Sequence, residues 1–205
     1  MDLVLPDPES LADVRTFVGR ATALDSAGAV RLQAAGDVLA LTVGVLPGSG
    51  LLHAGLTLGM RVVRLGAPAE LDTTVSFAAL ADRFPRLGST ATALPVPPTE
   101  VFPEWRAQTP PRGPWEPLGA VAVTRLRRAA QTGMDEITGS ASGGTVTEAR
   151  RREVWAARVE QAPDLPSGAA FAAHGLGFLV GDQLEVYRSG SWRRLSSPVG
   201  HVLVR

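Results

Sequence analysis

The sequence predicts an α+β protein: an antiparallel β-meander with packed helices in the N-terminal half, and helices followed by a small antiparallel meander in the C-terminal half. Three patterns carry this. Apolar residues recur at helical spacing between Leu11 and Ala21 and again between Leu126 and Met134. They alternate at period two from Val30 and from Leu56. Short Gly and Pro turns, not long crossovers, join the alternating runs. The 205 residues are 45% hydrophobic and 20% charged, ordinary for a soluble globular chain. Folding at that length removes about 70–75% of the chain's surface from water, enough for a core without staples.

In chain order, Ser10 is placed to cap a helix reaching Leu24, with Leu11, Val14, Phe17, Val18 and Ala21 on one stripe. Val30, Leu32 and Ala34 then alternate with Arg31 and Gln33. Gly36-Asp37 reads as a two-residue turn, and residues 38–45 return as a nearly all-apolar strand, the pattern of a strand covered on both faces. Leu56, Leu58, Met60 and Val62 mark a third strand, and residues 71–77 a fourth after a turn at Ala67-Pro68. Phe77, Leu80, Ala81, Phe84 and Leu87 follow at helical spacing, with Pro85 hastening the end. Residues 1–93 are thus expected to form an α+β subdomain with a four-stranded antiparallel sheet.

Residues 94–117 hold half of all the prolines and are expected to form a connecting strap. Each proline removes an amide donor and pushes its predecessor toward extended geometry. Phe102, Trp105 and Trp115 lie inside it, and aromatic side chains of that size are seldom left in water. The strap reads as lying over the body and burying its tryptophans in both halves. A pre-stiffened strand for partner recognition is the functional alternative.

Residues 118–205 form the third segment. A helix is expected over 118–137, with a Gly/Ser break at 139–144. Thr147 caps a second helix with Ala149, Trp155 and Val159 inward and Arg150, Arg151 and Arg158 outward. A small Ala-rich helix covers 167–174. Ser189-Gly190 reads as a two-residue turn that sets Tyr187 opposite Trp192 and Glu185 opposite Arg194 on one side of a ribbon. Residues 202–204 form an apolar strand whose loss should damage the fold. The two subdomains and the strap are compatible with one compact unit.

Composition excludes several chemistries. With no cysteine there are no disulfides, thiolate metal sites or thiol nucleophiles. All twenty basic residues are Arg, while Asn is absent and Ile occurs once; since Lys, Asn and Ile share AT-rich codons, this points to a GC-rich bacterial genome. Without lysine there is no Schiff base and no P-loop lysine. The acidic, Pro-containing start is unlike a targeting segment, and no apolar run approaches the roughly 18 residues that span a bilayer, so a cytoplasmic protein without membrane contact is expected.

Motifs for catalysis are sparse. The glycines between Gly44 and Gly55 lack Walker spacing and fit a long hairpin connection that uses positive φ at Gly48 and Gly50. Ser49 and His53 lie close enough within it to raise a hydrolase reading, which needs a deep pocket joining the two. The stretch 139–143 has Ala141 where a nucleophile elbow has serine. His53, His174 and His201 form no metal-binding spacing, and no metal or other cofactor is expected. Asp135-Glu136 is a solvated helix end, since neighbours on a helix diverge.

Nucleic acid is the specific alternative. Residues 1–100 carry three more acids than arginines, and residues 101–205 three more arginines than acids. Arg125, Arg128, Arg151, Arg152 and Arg194 are the candidate phosphate contacts, with Trp155 or Trp192 for stacking. The pI near 6.8 counts against it. The reading that best fits the sequence is a non-catalytic binding or protein-interaction protein, with no catalytic residues. Its partner is a protein or small ligand, a homodimer being compatible. Trp105, Arg106, Arg112 and Trp115 are its expected contacts, because Trp and Arg dominate interface hot spots.

Overall fold

The computed structural model describes residues 1–141 and 147–205. The chain divides into two compact units, one of Met1–Gly44 with Met60–Gln108, the other of Val45–Gly59 with Thr109–Arg205. The class is α+β, as expected, with helices interspersed among antiparallel strands. Among the described residues no helix is long and apolar enough to cross a membrane.

The first unit opens with β1 (Asp2–Val4) and α1 (Pro8–Leu24). Asp7, not Ser10, caps α1: its Oδ1 accepts from the Ser10 backbone N–H at 2.6 Å. Pro8 shifts the start upstream, because proline at the first helical position gives up no needed donor and arrives with helical φ. The buried stripe is Leu11, Val14, Phe17, Val18 and Ala21, as the spacing predicts.

Two long strands, β2 (Ala29–Leu46) and β3 (Thr57–Ser76), replace the four short ones expected; extended backbone runs unbroken through Gly36-Asp37 and Ala67-Pro68. β2 nonetheless bends. Arg31 Nη1 donates to the Arg106 carbonyl at 3.4 Å. The indole of the preceding Trp105 lies over Gly44, where an added Cβ would sit 2.6 Å from the ring. A straight strand would hold Arg31 and Gly44 about 43 Å apart, beyond the reach of the adjacent residues Trp105 and Arg106. Gly36, at φ +59°, is the residue whose backbone permits the bend. Burial changes phase there too, from Val30, Leu32 and Ala34 to Leu39, Leu41 and Val43.

Ser76 caps the short α2 (Phe77–Ala81) by accepting from the Ala79 N–H, and a 3-10 turn at Phe84–Arg86 carries Pro85. β4 (Ala93–Pro95) pairs antiparallel with β1 and sets Leu94 opposite Leu3, both fully buried. The strap beyond it holds one short 3-10 turn, Glu104–Ala107.

The second unit begins with a difference from expectation. Residues 116–122 form β5 (Glu116–Ala122), and helix α3 (Val123–Ala141) starts only afterwards. Gly119 at φ +119° cannot sit in a helix, and Pro117 supplies no N–H. The second half of the expected Gly/Ser break lies outside the described residues; its first half, Gly139 to Ala141, is helical. Thr147 caps α4 (Glu148–Ala156) as expected, by accepting from the Arg150 N–H at 3.2 Å. Its buried residue is Val154; Ala149 is exposed and Val159 lies past the helix. Trp155 stacks on Phe171, ring centroids 4.4 Å apart.

β6 (Arg158–Val159) and β7 (Ala162–Pro166) form a small ribbon that the periodicity did not reveal, turning at Gln161 with φ +58°. The Ala-rich α5 (Ser167–Gly175) forms as expected. β8 (Gln183–Ser189), β9 (Trp192–Ser197) and β10 (Gly200–Val204) complete a sheet ordered β2-β3-β10-β9-β8-β5. In this unit the Val45–Gly59 segment meets the last strand through Gly55 N–H to Arg205 O at 2.8 Å and Arg205 N–H to Leu56 O at 3.0 Å.

Candidate binding cleft

The β8–β9 hairpin turns one residue later than its sequence suggests. Ser189 pairs with Trp192, leaving Gly190-Ser191 as the loop, with Gly190 at φ +56°. The register moves by two: Tyr187 faces Arg194 and Glu185 faces Ser196, in place of Trp192 and Arg194. A shift of two keeps every side chain on its predicted face. It also sets Arg188 directly opposite Arg193, and the β5 partner of Arg188 is Glu116.

That row, Glu116–Arg188–Arg193, floors an open cleft of about 580 Å³ walled by Pro114, Trp115 and the Gly190 turn. Like charges directly opposite on neighbouring strands repel. Arg188 is relieved by Glu116, its Nη2 2.8 Å from Oε2, and this carboxylate holds the guanidinium above its ordinary pKa. Arg193 is less well served: Nη2 stands 3.5 Å from Asp164, and Nη1 donates to the Gly190 and Trp192 carbonyls at 3.3 and 3.2 Å. Its Nε is buried without an acceptor. Asp164 is shared with Arg158 at 3.7 Å. Arg193 also lines an adjoining hollow of about 260 Å³ together with Arg158 and Asp164.

Trp115 is locked from behind. The Arg194 guanidinium lies 4.7 Å from its ring centroid and 4.4 Å from that of Tyr187. Burial pushes the Arg194 pKa below its ordinary value, with Tyr187 opposing the shift. Arg194, expected among the phosphate contacts, is therefore engaged on both faces.

The other expected contacts belong to two different units. Trp105 and Arg106 belong to the first unit, where Trp105 packs on Gly44 and Arg106 bonds Glu100 at 2.9 Å, 4.7 Å above the Phe102 ring. Arg112 and Trp115 belong to the second, Arg112 exposed beside the half-buried Trp115. Arg125 and Arg128 on α3 line a hollow of about 210 Å³ with Val154, and Arg151 and Arg152 are exposed on α4. Ser49 Oγ donates to the Ala54 carbonyl at 3.3 Å, and His53 sits at φ +49° in the turn. The positive φ values in that loop fall on Gly50, His53 and Gly55, not Gly48.

Sequence reasoning did not bring Arg188, Arg193 and Glu116 together. The signal was present as arginines five residues apart flanking a turn, but only the correct register sets them face to face.

Residues 1–107 match the family model described as Domain of unknown function (DUF8010), and residues 110–205 the one described as Domain of unknown function (DUF8185). No protein of curated function matches the sequence. The fold is similar to the DNA polymerase sliding clamp from Caulobacter crescentus, with 12% identity and a TM-score of 0.58 over the whole of this chain and 65% of that one. It is also similar to the DNA polymerase III subunit beta from Pseudomonas aeruginosa, at 15% identity and a TM-score of 0.54 over all of this chain and 64% of that one. The chain thus spans just under two thirds of the length of the clamps it resembles.

Proposed function

The chain belongs to the family described as Domain of unknown function (DUF8010), and from that premise we propose that it is a non-catalytic interaction protein of clamp type, one that docks a protein partner in the cytoplasm. The observation that carries the reading is the sliding-clamp fold along all 205 residues. Those clamps, by their descriptions, serve a DNA polymerase. The docking place is the Trp115 cleft, with the exposed Arg112 three residues before Trp115 in the chain, since Trp105 and Arg106 are committed to contacts within their own unit. A rigid aromatic wall beside guanidinium groups is the composition of an interface hot spot.

Selection from a displayed library of random linear peptides tests this. Binders of the wild-type protein should be lost on Trp115→Ala, whose fold is checked by circular dichroism. Failure to enrich any binder, or binders indifferent to Trp115, overturns the reading.

A second reading, contact with duplex DNA, is favoured by one observation: Arg125, Arg128 and Arg151 make no ion pair among the described residues. It requires fluorescence anisotropy of a labelled duplex to rise on adding the protein and to weaken steeply with salt.

A further inference from the structure

We infer that the Trp115 cleft recognises a carboxylate side chain of its partner, an acidic residue next to an apolar one, with Arg193 taking the carboxylate. This rests on the docking reading above and names the partner's chemistry.

The first observation is the cross-strand pair. Arg188 and Arg193 occupy directly opposed positions beside a tight turn. Two cations there cost stability unless anions stand by. Glu116 answers Arg188 at 2.8 Å. Asp164 must answer both Arg193 and Arg158, at 3.5 and 3.7 Å, so three guanidinium groups meet two carboxylates. The Arg193 hydrogen bonds to the Gly190 and Trp192 carbonyls, at 3.3 and 3.2 Å, are long for a guanidinium donor. Its ion pair with Asp164, at 3.5 Å, is longer than a charge-assisted hydrogen bond.

The second observation is that the unmatched charge has a place to be used. Arg193 lies where the two hollows adjoin, with Trp115 and Pro114 across the larger one. Arg194 behind Trp115 holds that ring in place, so an apolar side chain meets a preformed wall.

The surplus also selects the ligand. A carboxylate monoanion suits these walls better than a phosphate dianion, which would stand against both Glu116 and Asp164. Guanidinium and carboxylate match as paired donors and acceptors.

The peptide selection gives the first readout: enriched sequences should share an Asp or Glu beside an apolar residue. Enriched binders that require Trp115 but carry no acid overturn this inference and leave the docking reading standing. No binders at all overturn the docking reading. The best acidic peptide is then compared with its Asp→Asn or Glu→Gln analogue on the unaltered protein, where the amide should bind about tenfold more weakly, the size of one charge-assisted pair. Arg193→Gln should remove that preference with its fold intact by circular dichroism, and Arg193→Lys should restore part of it. Equal affinity for acid and amide on the wild-type protein refutes the assignment without any variant. A phosphoserine version binding more tightly than the acid refutes the monoanion argument.

Discussion

Arg194 lies between two aromatic rings, 4.7 Å from the Trp115 centroid and 4.4 Å from that of Tyr187, and no carboxylate bonds it among the described residues. Its Nε is buried and unpartnered. The residue works as a spacer as much as a cation, filling the gap between the strap's last tryptophan and β8.

This yields opposite outcomes for two substitutions. Arg194→Ala empties the gap and should cost about 2–4 kcal/mol, as large-to-small changes in packed sites do. Arg194→Met keeps most of the volume. It gives up two cation–π contacts of about 0.5–1 kcal/mol each but also removes a buried donor that lacks an acceptor. It should stay within about 1 kcal/mol of the wild type in urea denaturation. A methionine variant as damaged as the alanine one would show that the charge, not the fill, holds Trp115.

Asp72 supplies a pH signature for the first unit. Arg31 clasps it with two hydrogen bonds, 2.8 and 2.7 Å. The hydrogen bond from Arg31 holds the Asp72 carboxyl below its ordinary value, burial opposing and the Arg31 charge assisting. A carboxyl whose folded pKa is depressed stabilises above its unfolded pKa and loses that contribution as pH falls through the folded one. Stability from the pair should be present from neutral pH to about pH 4 and disappear below it. Asp7, lowered by the backbone N–H of Ser10, acts in the same direction. Arg31 is raised by Asp72, so its share fades only in strong alkali. Melting temperatures of wild type and Asp72→Asn should differ at pH 7 and converge on acidification. The Asp72 side chain is 46% exposed, which holds the difference in stability to about 1 kcal/mol. A gap that persists in acid would place the loss in packing instead.

The sequence showed which residues are inside far better than where strands begin and end. The α1 stripe, the Thr147 cap and the Ala-rich α5 follow from spacing and capping chemistry alone, both local. Strand boundaries depend on partners distant in sequence. Gly36 reads as a turn, and the chain does bend there, yet extended backbone passes through it. Residues 118–122 carry helix-compatible spacing, but Gly119 and pairing with β8 make them a strand. The cleft failed to appear for a related reason. Its row exists only across three strands, and a turn misplaced by one residue put Arg188 opposite the wrong partner. Trp115 was legible because a large aromatic in a proline-rich segment needs something to cover it.

Strand β10 carries the last prediction. It lies between β3 and β9 in the sheet, with Val202, Leu203 and Val204 at 0, 2 and 4% exposure. Each such side chain contributes about 1.5–3 kcal/mol when buried. The three together approach the entire net stability of a typical domain, about 5–15 kcal/mol. Removal also strips hydrogen bonds from β9 and from the Gly55–Leu56 segment. Deleting Gly200–Arg205 should therefore abolish the tertiary structure of the second unit, seen as loss of the near-ultraviolet circular dichroism of Trp155 and Trp192. A deletion protein that kept those signals would show that β9 closes the sheet without its neighbour, and that the burial of these three side chains is not what holds the unit together.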